Sequence, residues 1–185
     1  ARWLFLRLLG LIFLIAFVSL WVQVHGLIGS QGILNVSDHL DVWRQQYGRA
    51  GFWYRPTLCW FNAGDTFLHI QCALGTILSL LLIAGIAPVA VLALLWMLYL
   101  SLVVIGEPFT SFQWDILLLE SGFLAILLSP KGWGRGRARE LEPPRAVMWL
   151  FRWLLFRLML LSGLVKLLSG DQTWRDLSAL GFHYY

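Results

Sequence analysis

Long apolar stretches alternate with shorter polar ones along the chain, which is typical of a protein that crosses a membrane several times. A helix needs about 20 mostly apolar residues to cross the hydrocarbon core. Stretches of about this length predict an all-α integral membrane protein, a bundle of five transmembrane helices. The predicted spans are at about residues 3–24, 66–86, 87–105, 109–128 and 147–168. The second and third share one uncharged run, which the turn residues Gly85 to Pro88 divide.

The first span could instead be a secretory signal peptide, because Arg2 and Arg7 flank its start. A signal peptide has an apolar core of about 7–15 residues, followed by a cleavage site of small residues. The uncharged run here covers residues 8–24, and no such site follows. We therefore predict a retained helix.

Residues 25–64 form the longest polar loop, and a short amphipathic helix is predicted within it over about 38–47. Asn35 or Ser37 can cap its start, and Gly48 can end it. Its apolar positions are at i, i+3 and i+7: Leu40, Trp43 and Tyr47. We expect the helix to lie on the membrane surface with this stripe facing the lipid.

An aromatic cluster follows in the same loop. It comprises Phe52, Trp53, Tyr54, Trp60 and Phe61. Aromatic side chains gather at the headgroup level of membranes, so the cluster indicates an interfacial belt, and an aromatic ligand cage is the alternative.

The histidine and cysteine positions do not predict a metal centre, since the spacing of a zinc site is missing. His69 and Cys72 lie at i, i+3 near the start of the second span and fit a hydrogen-bonded packing pair. Cys59 and Cys72 are either two buried free thiols or a disulfide. Asp65 is expected to be the N-cap of the second span.

Charge sets the predicted orientation. Charged residues make up 13% of the chain, against about 25% in soluble domains, and the net charge is +4. The basic residues concentrate at the N-terminus and in the loop 129–145, which are therefore predicted to be cytoplasmic, with the C-terminus outside. That loop is a topological signal or, alternatively, a site for anionic headgroups. The pattern gives no support to a nucleic-acid partner.

Charged side chains inside the last two spans predict a polar seam. Asp115 and Glu120 lie in the fourth span, and Arg157 and Lys166 in the fifth. Each such charge costs about 2.5–3.5 kcal/mol at a helix centre, so it must face a counter-ion or water. By depth in the membrane, Asp115 is level with Lys166, and Glu120 is roughly level with Arg157. The two cations, however, lie on nearly opposite faces of their helix, so both cannot face the fourth span squarely. We predict Glu120–Arg157 as the buried pair, with Gln113 on the same stripe as Glu120.

The seam has two interpretations. It either only locks the helices together, or it lines a pocket that opens outward, in which Lys166 would be a candidate base. No cofactor is expected. Beyond the fifth span, Asp171 can cap a further short helix from Gln172 to about Leu180.

Several segments resemble the lipase maturation factor family. They are Ser111 to Asp115, Leu117 to Glu120, Gly122 to Ala125, Arg152 to Met159, Ser162 to Leu167, Ser169 to Asp171, Thr173 to Arg175, Leu177 to Leu180 with His183 and Tyr184, and Gly29 to Leu34. Gln172 and Asn35 depart from the pattern, which has proline at both positions. The resemblance implies a multi-pass protein that helps secreted lipases to fold and assemble, and the family is not known for an enzymatic activity.

The resemblance also bears on partners and location. The family continues into a large non-cytoplasmic domain that contacts clients, so this chain resembles the N-terminal membrane domain alone. Its partners would be the bilayer and, through that further domain, a secreted lipase or other exported client. Its location would be the endoplasmic reticulum membrane in a eukaryote, or the inner membrane in a bacterium, which the short loops favour.

A more distant resemblance, to the membrane part of vitamin K-dependent carboxylases, leaves an enzyme as the alternative. Lys166 would then be the base, with Arg157 and Glu120 as its pocket partners. Further candidate binding residues at the outer face are Trp114, Asp171, Trp174, Arg175 and His183.

Overall fold

The computed structural model describes residues 2–130, 142–179 and 181. All regular structure within these residues is helical. The chain divides into two compact units, Ala1–Glu142 and Pro143–Tyr185. Most of the predicted basic loop, residues 131–141, lies outside the described residues.

Seven α-helices lie in the described part of the first unit and two in that of the second. They are α1 (Arg2–Ile28), α2 (Val36–Tyr47), α3 (Gly51–Tyr54), α4 (Asp65–Ala84), α5 (Pro88–Ile105), α6 (Glu107–Thr110) and α7 (Gln113–Leu128), then α8 (Arg145–Leu168) and α9 (Gln172–Arg175). Single 3₁₀ turns occupy Gly48–Ala50 and Leu58–Trp60.

Four helices are long and apolar enough to cross a membrane: α1, α4, α5 and α8. They correspond to four of the five predicted spans. Helix α7 has 16 residues, hence a length of about 24 Å, which is short of the roughly 30 Å hydrocarbon core. An all-helical multi-pass membrane protein is therefore confirmed, whereas the count of five spans and their orientation remain predictions.

The predicted start of the fourth span at residue 109 is wrong. Glu107 to Thr110 form the separate short helix α6, and α7 begins only at Gln113. Phe112 is extended, with φ −78° and ψ 158°. The Thr110 hydroxyl donates a 2.9 Å hydrogen bond to the carbonyl of Val103, which turns α6 back onto α5. Apolar content alone does not reveal this break.

The core of the first unit is formed where α1 packs on α4, and α5 packs on α4 and α7. Close approach of α1 and α4 depends on Gly75, because a Cβ there would overlap the ring of Phe17. Phe13 and Phe17 of α1 are completely buried. A small residue facing a large one is how helices approach closely inside a membrane.

The α4–α5 turn forms where the sequence predicts it. Gly85 takes a left-handed conformation, φ 82°, and its N–H donates to the carbonyls of Leu81 and Leu82. The Arg7 guanidinium donates a 2.5 Å hydrogen bond to the Leu82 carbonyl. A cation at a helix C-terminus satisfies the last carbonyls and complements the helix dipole. Ala87, with φ 41°, is a left-handed non-glycine residue just before Pro88.

Helix α2 is present, but its apolar stripe does not face lipid as predicted. Asn35 is the N-cap, its side-chain oxygen accepting from the Ser37 N–H. Leu40 and Trp43 are buried in the same core cluster as Trp60. The rest of the polar loop therefore covers the stripe, and burial against protein replaces burial in the membrane surface.

In the second unit α8 exposes most of its apolar side chains, and α9 is shorter than predicted. Asp171 caps α9, as expected, by accepting from the Thr173 N–H. The helix ends at Arg175 rather than near Leu180, because Leu177 is left-handed, with φ 59°. Leu180 and residues 182–185 lie outside the described residues.

Candidate functional site

The segment that carries the family motif, Ser111 to Gly122, brings an acid into the interior of the first unit. Asp115 lies in the first turn of α7 and is buried. Its carboxylate accepts a 2.5 Å hydrogen bond from the hydroxyl of Tyr99 on α5. The Tyr99 ring lies edge-on to Phe13 and Phe17, at centroid distances of 5.8 and 5.5 Å. A hydroxyl on a neighbouring helix thus forms a hydrogen bond with the carboxylate. The sequence did not predict this partner.

Two more contacts fix α7 against its neighbours. The indole N–H of Trp96 on α5 donates a 3.0 Å hydrogen bond to the Leu119 carbonyl. Gly122 lies against the ring of Phe13, and its missing side chain allows that approach. Residues of the motif therefore hold α7 on α1 and α5.

The same motif also presents aromatic side chains outward. Phe112 and Trp114 are exposed, and their rings stack with centroids 4.7 Å apart and planes 15° apart. The binding role of Trp114 stays a prediction. Gln113, between them, is also exposed.

A buried polar network joins the long loop to α4 and α5. The Ser101 hydroxyl donates to the Gln71 side-chain oxygen at 2.8 Å and accepts from the Leu58 N–H at 2.8 Å. The Thr57 hydroxyl lies 3.0 Å from both the hydroxyl and the carbonyl of Ser101. The Gln71 amide donates to the Cys59 sulfur at 3.6 Å. Buried polar groups are stable only when paired, so this network fixes the loop to the bundle.

Sequence analysis missed this network, although a signal was present. Gln71 and Ser101 are polar residues within long uncharged helices, and each is buried. Polar residues inside membrane spans usually bond to another helix or to a polar segment. Gln71 and Ser101 are 30 residues apart, however, and the loop residues Thr57 and Leu58 lie 44 and 43 positions before Ser101, so spacing gives no clue to these pairings.

Asp65 has a different role from the predicted one. Gly64 is the N-cap of α4, and the Asp65 carboxylate accepts from both the N–H and the hydroxyl of Ser30, at 2.7 and 2.6 Å. His25 Nδ1 lies 3.5 Å from the same carboxylate. Asp65 therefore joins the end of α1 and the start of the loop to the start of α4.

His69 has a partner on α1. Its Nδ1 accepts a 3.0 Å hydrogen bond from the indole N–H of Trp21, and its ring stacks on His25 at 6.3 Å. The predicted partner, Cys72, is fully buried in the core. Within the described residues no group of three histidine, cysteine or acidic side chains could hold a metal ion.

Both cysteines are free thiols and both are buried. Burial raises the pKa of the Cys59 thiol above its ordinary value, while hydrogen bonds from Thr57, Gln71 and Ser101 oppose the shift. A thiol of this kind is a poor nucleophile at neutral pH, because the thiolate is the reactive form.

One ion pair links the long loop to α6. Arg55 donates a 2.6 Å hydrogen bond to Glu107, and this bond raises the pKa of the guanidinium. The guanidinium also lies over the Trp43 ring, 5.0 Å from its centroid. Arg55 thereby connects α2, the aromatic cluster and α6.

The predicted site residues of the second unit are placed within that unit. Lys166 lies 4.8 Å from the ring centroid of Trp174. Asp171 accepts from the N–H and the hydroxyl of Thr173, which lowers the pKa of its carboxyl. Arg175 is exposed, and His183 lies outside the described residues.

Glu120 on α7 and Arg157 on α8 are each half-buried. They belong to different units, each described by itself. Their predicted pairing, and that of Asp115 with Lys166, therefore stay predictions.

Comparison with known proteins decides the family. The whole chain, residues 1–185, matches the family model described as the lipase maturation factor transmembrane domain. The chain belongs to the lipase maturation factor family. It is 45% identical over 197 residues to lipase maturation factor 2 of Xenopus laevis, an alignment that covers 100% of this chain and 27% of the relative.

Other members of the lipase maturation factor family also align with nearly the whole of this chain. Lipase maturation factor 2 of Homo sapiens is 41% identical, with coverage of 99% of this chain and 28% of the relative. Lipase maturation factor 1 of Bos taurus is 38% identical, with coverage of 97% of this chain and 33% of the relative. The chain thus spans between a quarter and a third of the length of these relatives. No solved structure matches it.

Proposed function

We propose that this chain is the membrane-embedded part of a maturation factor for secreted lipases and that it acts by binding rather than by catalysis. The observation that carries the proposal is the match of the family model to all 185 residues. Relatives at 38–45% identity bear the name lipase maturation factor. The client would be a secreted lipase or another exported protein.

The geometry supports a scaffold. Asp115 is hydrogen-bonded to Tyr99, and Gln71, Ser101 and Thr57 bond to one another. These interior polar groups fix helices and the long loop in place. Each is engaged in packing, which favours a rigid platform for the loops over a reaction centre.

The proposed topology has five spans, with the N-terminus inside and the C-terminus outside. Basic residues at the N-terminus and in the loop 129–145 support this orientation. Four spans are α1, α4, α5 and α8, and α7 would be the other. If α7 also crosses, four helices (α1, α4, α5 and α7) lie between the N-terminus and the loop 129–145. An even number of crossings places both basic segments on the same side of the membrane. The membrane would be that of the endoplasmic reticulum in a eukaryotic host, or the inner membrane in a bacterium.

The enzyme alternative rests on Lys166 as a base within an outward pocket. The observed contact of Lys166 is with the Trp174 ring, and an ammonium over an indole face is a favourable cation–π pair. That contact engages the ammonium within the chain, so it supports a role of Lys166 in packing or binding rather than as a base.

The test is a deletion of the complete protein in its own host, with the specific activity of a secreted lipase as the readout. Activity per amount of lipase antigen should fall, because a maturation factor changes the fraction of lipase that is folded. A secreted hydrolase of another class is the control and should be unaffected. Restoration by a Lys166→Arg variant, which keeps the cation but is not a base at neutral pH, would argue for binding, and failure of this variant to restore activity while it remains stable would favour the enzyme. Unchanged lipase activity in the deletion would refute the maturation role.

A further inference from the structure

The aromatic cluster of the long loop lies largely exposed at the protein surface. Trp53 exposes 89% of its surface and Phe61 81%, and Phe52 and Tyr54 are also exposed. Monomeric soluble proteins rarely expose contiguous apolar patches of this kind without a partner. The question is which partner covers them.

The depth of the cluster follows from the buried network beneath it. Thr57 and Leu58 bond to Ser101, which lies four residues before the end of α5 at Ile105. Gln71, the other member, lies six residues after the start of α4. At 1.5 Å per residue the network is therefore about 6–9 Å inside the ends of both helices. The loop is thus fixed below the ends of two helices that are long enough to cross a membrane.

The exposed rings are held close to this level. The Trp60 indole N–H donates a 2.8 Å hydrogen bond to the Arg55 carbonyl. The Phe52 ring lies 4.9 Å from that of Trp60, which is itself buried. Because α5 has 18 residues, or about 27 Å, its end lies near the edge of the hydrocarbon core. If α5 crosses the membrane, these contacts would hold α3 near the boundary between the hydrocarbon core and the headgroups.

The charges of the segment fit a phospholipid surface. Residues 42–64 contain no aspartate or glutamate, and Arg49 is exposed beside α3. Arg55 is neutralised by Glu107 at 2.6 Å. A segment of amphipathic rings that contains arginine and no acid is attracted by phosphate groups and is not repelled by anionic lipids.

We propose that Phe52, Trp53, Tyr54 and Phe61 form an aromatic anchor that inserts into the headgroup and upper acyl region of the bilayer. The anchor fixes the long loop to the membrane at a second place, beside the spans themselves. It requires that α4 and α5 cross the membrane, and it does not depend on the role in lipase maturation.

Site-specific fluorescence tests the anchor. The full chain, with Trp53→Cys or Phe61→Cys carrying a nitrobenzoxadiazole label, is placed in vesicles of phosphatidylcholine with a minority of phosphatidylglycerol. Labelled Gln45→Cys, at an exposed position on α2, is the matched control. The wild-type chain, whose two thiols are buried, measures background labelling.

At positions 53 and 61 we expect emission at shorter wavelength than at position 45, strong quenching by lipids brominated in the upper acyl chain, and weak quenching by iodide. Equal iodide quenching at 53, 61 and 45 would overturn the anchor, because the rings would then lie in water. Protection from both quenchers would also overturn it, since a protein, either a second copy or a bound partner, would then cover the cluster. Circular dichroism of each labelled variant verifies that the chain is folded.

Discussion

The Tyr99 hydroxyl donates a 2.5 Å hydrogen bond to the Asp115 carboxylate, and both side chains are buried between α5 and α7. A carboxylate inside a membrane protein is usually expected to face a cation or water. Here a hydroxyl on the adjacent helix supplies the hydrogen bond. Asp115 belongs to the segment that carries the family resemblance, so part of that motif packs α7 against α5.

Replacing Tyr99 with phenylalanine should destabilise the first unit by about 1–3 kcal/mol, because the Asp115 carboxylate loses its buried donor. Thermal unfolding of the full chain in detergent measures the effect. Tyr54→Phe, at an exposed position, is the control and should change little. A double variant, Tyr99→Phe with Asp115→Leu, should recover part of the loss, since neither polar group then remains. Equal stability of the wild type and Tyr99→Phe would refute the role of the pair.

Gly75→Ala should destabilise the α1–α4 contact by about 1–3 kcal/mol, because the added methyl group would overlap the Phe17 ring. The matched control is Gly163→Ala in α8, where no atom lies within 4 Å of the added Cβ. This control should be neutral or stabilising by about 0.5–1 kcal/mol, because alanine is the better helix former. Combining Gly75→Ala with Phe17→Leu should restore part of the lost stability. A tolerated Gly75→Ala would show that the two helices are not in close contact.

The reaction of Cys59 with a maleimide should report on the buried network. Because burial raises the pKa of this thiol, alkylation should begin at a higher pH than for the exposed cysteine of Gln45→Cys. The reactive thiolate forms only as the pH rises through the raised pKa, so the rate should be low at neutral pH. Ser101→Ala removes an acceptor for the Leu58 N–H and the donor to Gln71, so the loop should open and expose Cys59. Loss of burial, the largest cause of the raised pKa, should outweigh the loss of the Ser101 hydrogen bond that opposes it, and the rate should increase. All variants carry Cys72→Ser, so that this thiol does not contribute to the measured rate. Equal rates at Cys59 and at the cysteine introduced at position 45 would contradict the burial of Cys59.

Protonation of Asp171 should release the start of α9. Its pKa is lowered in the folded chain by hydrogen bonds from Thr173, so the cap is intact above the ordinary pKa of an aspartate. The cap is lost as the pH falls through the lowered value, with the sign expected for a depressed acid. The amide resonance of Thr173 should follow this titration in a nuclear magnetic resonance experiment. Asp171→Asn should abolish the titration, and a midpoint at or above the usual aspartate range would contradict the cap.

The predicted Glu120–Arg157 pair can be tested by exchanging its charges. Glu120→Arg or Arg157→Glu alone should lower stability by about 3–5 kcal/mol if the pair is buried, because each leaves like charges together. The double exchange should recover most of the loss. Arg152→Glu, at an exposed position of the same helix, controls for charge alone. Additive losses in the double variant would refute the pair.

The sequence predicts the long helices because each is a nearly uncharged run of about the right length. It places the α4–α5 turn as well, since Gly85 and Pro88 have strong local preferences. Hydropathy could not locate the start of α7, because a window of about 20 residues averages over α6, the break at Phe112 and α7 and does not resolve a turn within it. The break depends on a tertiary contact, the hydrogen bond from Thr110 to Val103.

The candidate site was predicted less completely, for a physical reason. Depth and charge indicate cations as partners for a buried acid, and neither predicts the Tyr99 hydroxyl as the partner of Asp115. The spacing on α2 correctly predicts an amphipathic helix, but periodicity does not tell whether lipid or protein covers an apolar face. Trp60 and its neighbours cover Trp43, and only the folded loop reveals this contact.

The hydrogen bond from Arg7 to Leu82 joins residues 75 positions apart. At a synthesis rate of about 5–20 residues per second, Leu82 follows Arg7 out of the ribosome by roughly 4–15 s. During this interval α1 lacks α4, which supplies the Leu82 carbonyl to Arg7 and packs Gly75 against Phe17. Helix α1 must therefore remain in the bilayer without this packing until α4 is made, and any factor that shields nascent membrane segments would act in that interval.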